Sequence, residues 1–168
     1  MNSSFKRNLI IGFGFSLLLL VISSVASYMS IRNLLESSEQ VEHTNSVIRK
    51  LDKVVTQLIN AETGQRGYLL TGEENFLQPY QGAIEEAKTA IIEVKELTGD
   101  NLAQQQSLNQ LQMIVTSRLS MLQKLIGKKQ RGQQVTPEEL QEGKKYMDQA
   151  RMVIAEMVDR ENKLLAER

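Results

Sequence analysis

Residues 98–139 read TGDNLAQQQSLNQLQMIVTSRLSMLQKLIGKKQRGQQVTPEE, and the punctuation of this stretch decides the fold. Leu108, Leu111, Val115, Leu122 and Leu125 recur at helical spacing, with Arg118 interrupting their line. Upstream, Thr98-Gly99-Asp100 stops one helix on a glycine and offers Asp100 as a cap for the next. Downstream, Thr136-Pro137-Glu138-Glu139 places a threonine at the N-cap, a proline at the first helical position and a glutamate at the third, which is a capping box. Gly127 and Gly132 bracket Lys128, Lys129 and Arg131, a pattern that reads as a fraying helix end and a solvated turn.

The same period extends to both sides. Ile48, Leu51, Val55 and Leu58 form one apolar line; Leu77, Tyr80, Ile84, Ala87, Ile91 and Val94 form a second; Leu140, Met147, Ile154, Met157 and Leu164 form another beyond the capping box. Thr71-Gly72-Glu73-Glu74 separates the first two. Short turns between long helices make sequence neighbours antiparallel. The expectation is an all-α, up-down-up-down four-helix bundle with helices over about 32–70, 75–97, 101–131 and 137–168 and turns at Gly72, Gly99 and Gly132.

Ahead of the bundle, no residue from Asn8 to Ile31 is charged, and roughly 20 apolar residues suffice for a helix to cross a bilayer. This segment is expected to be a transmembrane helix over 8–31, continuous with the first bundle helix. Lys6 and Arg7 in the short tail 1–7 keep that end cytoplasmic by the positive-inside rule, leaving 32–168 extracytoplasmic at the inner (plasma) membrane. Ser24-Val25-Ala26 also has the small-x-small form of a signal cleavage site. The apolar run exceeds the roughly 7–15 residues of a signal core, and helical periodicity continues through Leu34, Ser38, Val41, Asn45 and Ile48, so retention is favoured.

Composition excludes several classes. With no cysteine among the 168 residues there is no disulfide framework and no thiolate ligand or nucleophile. The 20 basic and 20 acidic residues balance, giving no electrostatic reason to expect nucleic acid as a partner. His43 is the single histidine, so no metal-ligand spacing and no Ser-His pairing can be drawn; neither a catalytic residue nor a cofactor is expected.

Residues 61–80, AETGQRGYLLTGEENFLQPY, resemble the signature of the third class of CHASE domains, extracytoplasmic sensory modules of bacterial receptors. The matching positions are Glu62, Thr63, Gly64, Arg66, Gly67, Tyr68, Leu69, Leu70, Thr71, Gly72 and Tyr80. The closing stretch MDQARMVIAEMVDRENKLLAER is similar to that family's last helix, with Arg151, Glu161, Leu164, Leu165 and Arg168 at recurrent positions. The resemblance implies a module between two membrane spans, followed by an output domain, most often a histidine kinase and sometimes a nucleotide cyclase, beyond Arg168. It also implies a homodimer. The stalk seam of Leu34, Ser38, Val41, Asn45 and Ile48, with its polar positions, resembles a parallel coiled coil and points the same way.

Within the motif, Glu62 and Arg66 stand four apart and can pair, which on a surface contributes only ~0.3–0.5 kcal/mol. Glu62 also continues the line of Val55 and Leu58, so a partly buried polar layer is expected there. Helix rise of about 1.5 Å per residue places that layer within a turn of Arg151, the expected partner from the fourth helix. Gly64 and Gly67 suggest close backbone packing or a kink. Tyr68, Phe76 and Tyr80 read as an apolar plug closing the bundle tip, with a small aromatic-lined pocket as the other reading. The run Gln104, Gln105, Gln106, Gln110 and Gln112 reads as a solvated face. Two functions follow: a sensory input module that answers an unidentified small-molecule or protein stimulus by helix displacement across the membrane, or an anchored coiled-coil spacer without a signal.

Overall fold

The structure, a computed structural model, describes residues 3–167, with side chains from Lys6 onward; Arg168 and the first residues of the 1–7 tail lie outside it. Four α-helices follow one another: α1 (Ser3–Thr71), α2 (Leu77–Leu97), α3 (Leu102–Gln130) and α4 (Pro137–Glu167), with a 3-10 turn over Glu74–Phe76 before α2. No strand occurs among the described residues. The chain divides into two units, 1–42 and 43–168.

In the first unit, Leu9, Phe13, Leu17, Leu20, Val25 and Ile31 are all exposed, although every one is apolar. The helix here is long and apolar enough to cross a membrane, and its apolar window has nothing packed over it. Burial within the protein therefore does not explain its composition.

The second unit is the helical bundle. Its turns are chemically specified. Gly72 takes φ 80°, and its N–H donates to the Tyr68 carbonyl at 2.8 Å, closing α1 through a left-handed residue that favours glycine. At the far end of α3, Gly132 takes φ 70°; its N–H donates to Lys129 O and that of Gln133 to Lys128 O, a Schellman closure. The capping box of α4 forms in both directions: Glu139 N–H donates to Thr136 Oγ1 at 3.4 Å, and Thr136 N–H to Glu139 Oε2 at 3.1 Å. The cap of α3 differs from expectation. Asn101, not Asp100, accepts from Gln104 N–H at 3.1 Å, because Asn101 is the extended residue from which a short side chain reaches the third helical amide.

Lys128 also departs from the solvated reading. It is half-buried and binds Glu139 at 2.7 Å, and Lys124 adds a second ion pair at 3.3 Å, so α3 is fastened to the start of α4. Lys128 and the Thr136 amide hold the Glu139 carboxyl down at about 2, below the usual carboxylate range.

Antiparallel register between α1 and α2 is fixed by Lys50–Glu93 at 2.8 Å, Lys53–Glu86 at 3.4 Å and a Gln57–Glu86 hydrogen bond. The core between them consists of Val47, Leu51, Val54 and Leu58 from α1, Ala90, Ile91 and Val94 from α2, Leu108, Leu111 and Val115 from α3, and Met147, Ala150, Val153, Ile154 and Met157 from α4. On α1 the buried line is centred on Val47 and Val54, with Ile48 and Val55 at its half-buried flank. Leu140 is 48% exposed rather than part of the stripe, because α4 has only just begun there and α3 ends beside it. On α2 the inward residues Ala83, Ala87 and Ala90 are small, which lets neighbouring helices lie close.

Candidate functional site

The 61–80 motif ends α1 and turns into α2, and its glycines are where the backbones meet. A Cβ at Gly64 would lie 2.7 Å from the Phe76 carbonyl oxygen and 3.3 Å from Tyr80 N. A Cβ at Gly67 would lie 2.4 Å from the Phe76 ring. The close-packing reading of these two glycines therefore holds, and α1 continues through both. Thr71 Oγ1 donates to Gly67 O at 2.9 Å and accepts from Glu73 N–H at 3.1 Å, tying down the turn at Gly72. Tyr68 and Tyr80 are buried in one apolar cluster with Ala61, Ala83, Leu122 and Ile126, but Phe76, expected to complete the plug at this tip, is 38% exposed and lies outside the cluster. Burial pushes the Tyr80 phenol up from its ordinary value. Thr63 is exposed.

Below the plug lies a charged layer. Glu62, its side chain 17% exposed, receives Arg118 from α3 at 3.0 Å through one carboxylate oxygen and Arg66 through the other. Arg118 is the buried member, its side chain 4% exposed, while Arg66, the partner expected four residues on, pairs with Glu62 from outside at 66% exposure. Burial lowers the Arg118 guanidinium from its ordinary value, opposed by the Glu62 carboxylate. Arg118 Nε has no hydrogen-bond partner. Gly143 on α4 makes room for the guanidinium: a Cβ there would stand 2.5 Å from Arg118 Nη1.

The pair expected between Glu62 and Arg151 does not form. Arg151 is 53% exposed and lies 3.6 Å from Asp148 on its own helix. Because Ala150, Val153 and Ile154 turn inward, the position after Ala150 must face out. The signal for the true partner was Arg118 itself: a guanidinium in an apolar helical line requires a carboxylate across the core. Gln65, also within the motif, is buried and donates to Leu122 O at 3.4 Å.

A sequence profile of the CHASE3 domain matches residues 37–168. The chain belongs to the CHASE3 family. Among solved structures, the sensor domain of the Rhodopseudomonas palustris histidine kinase HK9 is similar in fold, with a TM-score of 0.59 and 22% identity over 74% of this chain and 99% of that one. A comparison with curated protein sequences finds no match. The CHASE3 domain is a sensory type of module.

A second polar layer occupies the opposite end of the CHASE3 bundle. Gln104 is fully buried, which overturns the solvated reading for this member of the glutamine run; Gln106, Gln110 and Gln112 are exposed. Gln104 Nε2 donates to Glu161 Oε1 at 2.7 Å and to Met157 O at 3.0 Å, and its Oε1 accepts from Arg160 Nη1 at 2.8 Å. Arg160 also reaches Ser107 Oγ at 3.2 Å. Helix phase explains the exception, since Gln104 is four residues before Leu108 on the inward line. Glu161, one of the residues on which the sequence resemblance rests, is buried in this layer. No group of three or more His, Cys, Asp or Glu suited to a metal ion occurs among the described residues.

Proposed function

We propose that the chain is the extracytoplasmic input module of a membrane signalling receptor that passes a stimulus across the bilayer by displacement of helices. The observation that carries this reading is the coincidence, in one helix, of an apolar stretch long enough to span a membrane and the CHASE3 signature: α1 runs from Ser3 to Thr71. A stimulus that shifts α1 against α3 and α4 moves the end of the helix that bears the anchor. Lys6 and Arg7 support an orientation with the N-terminus cytoplasmic. The output is proposed to be a histidine kinase or a related signalling domain.

The working unit is proposed to be a parallel homodimer joined along the stalk. Leu34, Leu35 and Val41 are exposed apolar residues there, and a coiled-coil seam would cover them. Cysteines at Ser38 or Asn45 should give disulfide-linked dimers in membranes; no crosslink at these or neighbouring positions would remove the dimer.

The sensor reading is tested by joining the chain to the output half of a characterised histidine kinase. Glu62→Gln and Arg118→Gln should each shift basal kinase output. Output indifferent to both substitutions, with the protein folded, would favour an anchored spacer.

A further inference from the structure

Between α2 and α3 the bundle leaves a cavity of about 450 Å³, within the range of small-molecule sites. Its apolar wall is Ile84, Ile91, Ile92, Val115 and Leu119. Its polar groups are Lys88, Gln112, Thr116, Ser120 and Gln123. No carboxylate lines it, and none lines the groove that continues from it past Tyr80 and Ser120 toward Lys124 and Arg131. The recess is therefore apolar-walled, with Lys88 as its one cation and the carboxylate paired to that lysine, Glu85, outside the lining.

We propose that this cavity binds a small monocarboxylate with an aromatic or branched apolar body. The body would lie on the isoleucine, valine and leucine wall, and the carboxylate would meet Lys88 with the neutral hydroxyl and amide side chains beside it. Lys88 is available for this role. Its present partner is Glu85 at 2.9 Å, three residues back on the same exposed helix face, and such a pair is weak enough to give way to a better-enclosed anion. Lys124 is paired too, but with Glu139, a largely buried carboxylate that Lys128 and the Thr136 amide also hold in place. One ammonium matches a single negative charge better than a phosphate dianion, and the Ser120 hydroxyl suits a planar acceptor, whereas Thr116 already donates its own to Gln112 O at 2.8 Å. Tyr80, a motif residue, lines the same cavity, so a bound ligand would touch the turn that follows α1.

The inference deepens the sensor reading and rests on it for its purpose, but binding is measurable without any output domain. The full chain, in lipid nanodiscs with its isoleucine methyls isotope-labelled, is titrated with benzoate and, in parallel, with benzamide. Benzoate should move the Ile84, Ile91 and Ile92 methyl signals saturably. Lys88→Gln should weaken benzoate about tenfold and leave benzamide unchanged, as expected for loss of a charge-assisted hydrogen bond. Ser120→Phe, which fills the recess from an exposed position, should abolish both responses while circular dichroism stays helical. No saturable shift with benzoate at millimolar concentration, or binding that survives both substitutions, would overturn the proposal. Those outcomes leave kinase output in the chimeric receptor untouched, whereas output indifferent to the Glu62 layer would defeat the sensor reading and not the binding site.

Discussion

The two polar layers of the bundle solve the same problem in opposite ways. In the layer around Gln104 an uncharged amide is saturated: it donates to Glu161 and to Met157 O and accepts from Arg160, so each of its hydrogen-bonding groups is committed. In the layer around Glu62 a charged pair is left partly unsatisfied, with Arg118 Nε unpaired and a glycine beside its guanidinium. Glu62 has a second arginine, Arg66, on its outer side. A saturated layer can move only by breaking bonds. A carboxylate between two arginines can slide while keeping one of them. The difference teaches where a displacement of α1 against α3 would be tolerated, and it makes the Glu62 level the more suitable one for a two-state shift.

The largest expected effect lies in the charged layer. Glu62→Ala strands the buried Arg118 cation and should destabilise the bundle by about 3–5 kcal/mol, read by chemical denaturation. Adding Arg118→Met should restore most of that loss, since an apolar side chain of similar volume needs no partner. A double variant no more stable than Glu62→Ala alone would show that the two residues are not coupled.

In the amide layer, Gln104→Ala removes the donor to the buried Glu161 carboxylate and should cost about 1–3 kcal/mol. Here a second apolar substitution, Glu161→Met, should recover less than the Arg118→Met rescue does, because Arg160 still loses its shortest acceptor, Gln104 Oε1, and keeps only the longer bonds to Ser107 Oγ and Ala103 O. Equal recovery in both layers would erase the distinction drawn between them.

The glycines sharpen the comparison at smaller scale. Gly64→Ala pushes a Cβ onto the Phe76 carbonyl, a backbone atom that cannot step aside, and should cost about 1–3 kcal/mol despite the better helix propensity of alanine. Gly143→Ala meets only the tip of the Arg118 side chain, which can yield, and should change stability by no more than about 1 kcal/mol in either direction. Thermal melts of the two variants side by side decide it; a Gly143→Ala loss as large as that of Gly64→Ala would mean the guanidinium has no freedom.

Helix number, turn positions and the α4 capping box were legible because each is a local rule: periodicity, a glycine, or a threonine three residues before a glutamate. Burial of the Glu62 level was legible from its phase on α1. Its partner was not, because pairing across a core depends on how two helices rotate about their axes, and a level computed from helix rise gives height without azimuth. Arg118 carried the needed azimuthal information, since its neighbours at Val115 and Leu122 are buried. Gln104 was misread for a related reason: a run of glutamines looks uniformly polar, while helix phase turns one member inward and leaves Gln106 and Gln110 outside. Both layers, then, are found by asking which polar residue stands on an apolar line.

The smallest expected effect tests that rule on a residue it excludes. Arg151 resembles Arg118 in type, yet its place on α4 follows Ala150, which is buried, and its carboxylate neighbour Asp148 is exposed on the same helix. An exposed pair of this kind is worth about 0–1 kcal/mol, so Arg151→Gln should change stability by no more than about 0.5 kcal/mol. In a double-mutant cycle, Glu62→Gln and Arg151→Gln should add, whereas Glu62→Gln and Arg118→Gln should not, because only the second pair shares an ion pair across the core. A coupling energy above about 1 kcal/mol between Glu62 and Arg151 would show that the layer extends to α4 through charge, and that Gly143 is not the whole of that helix's contribution to it.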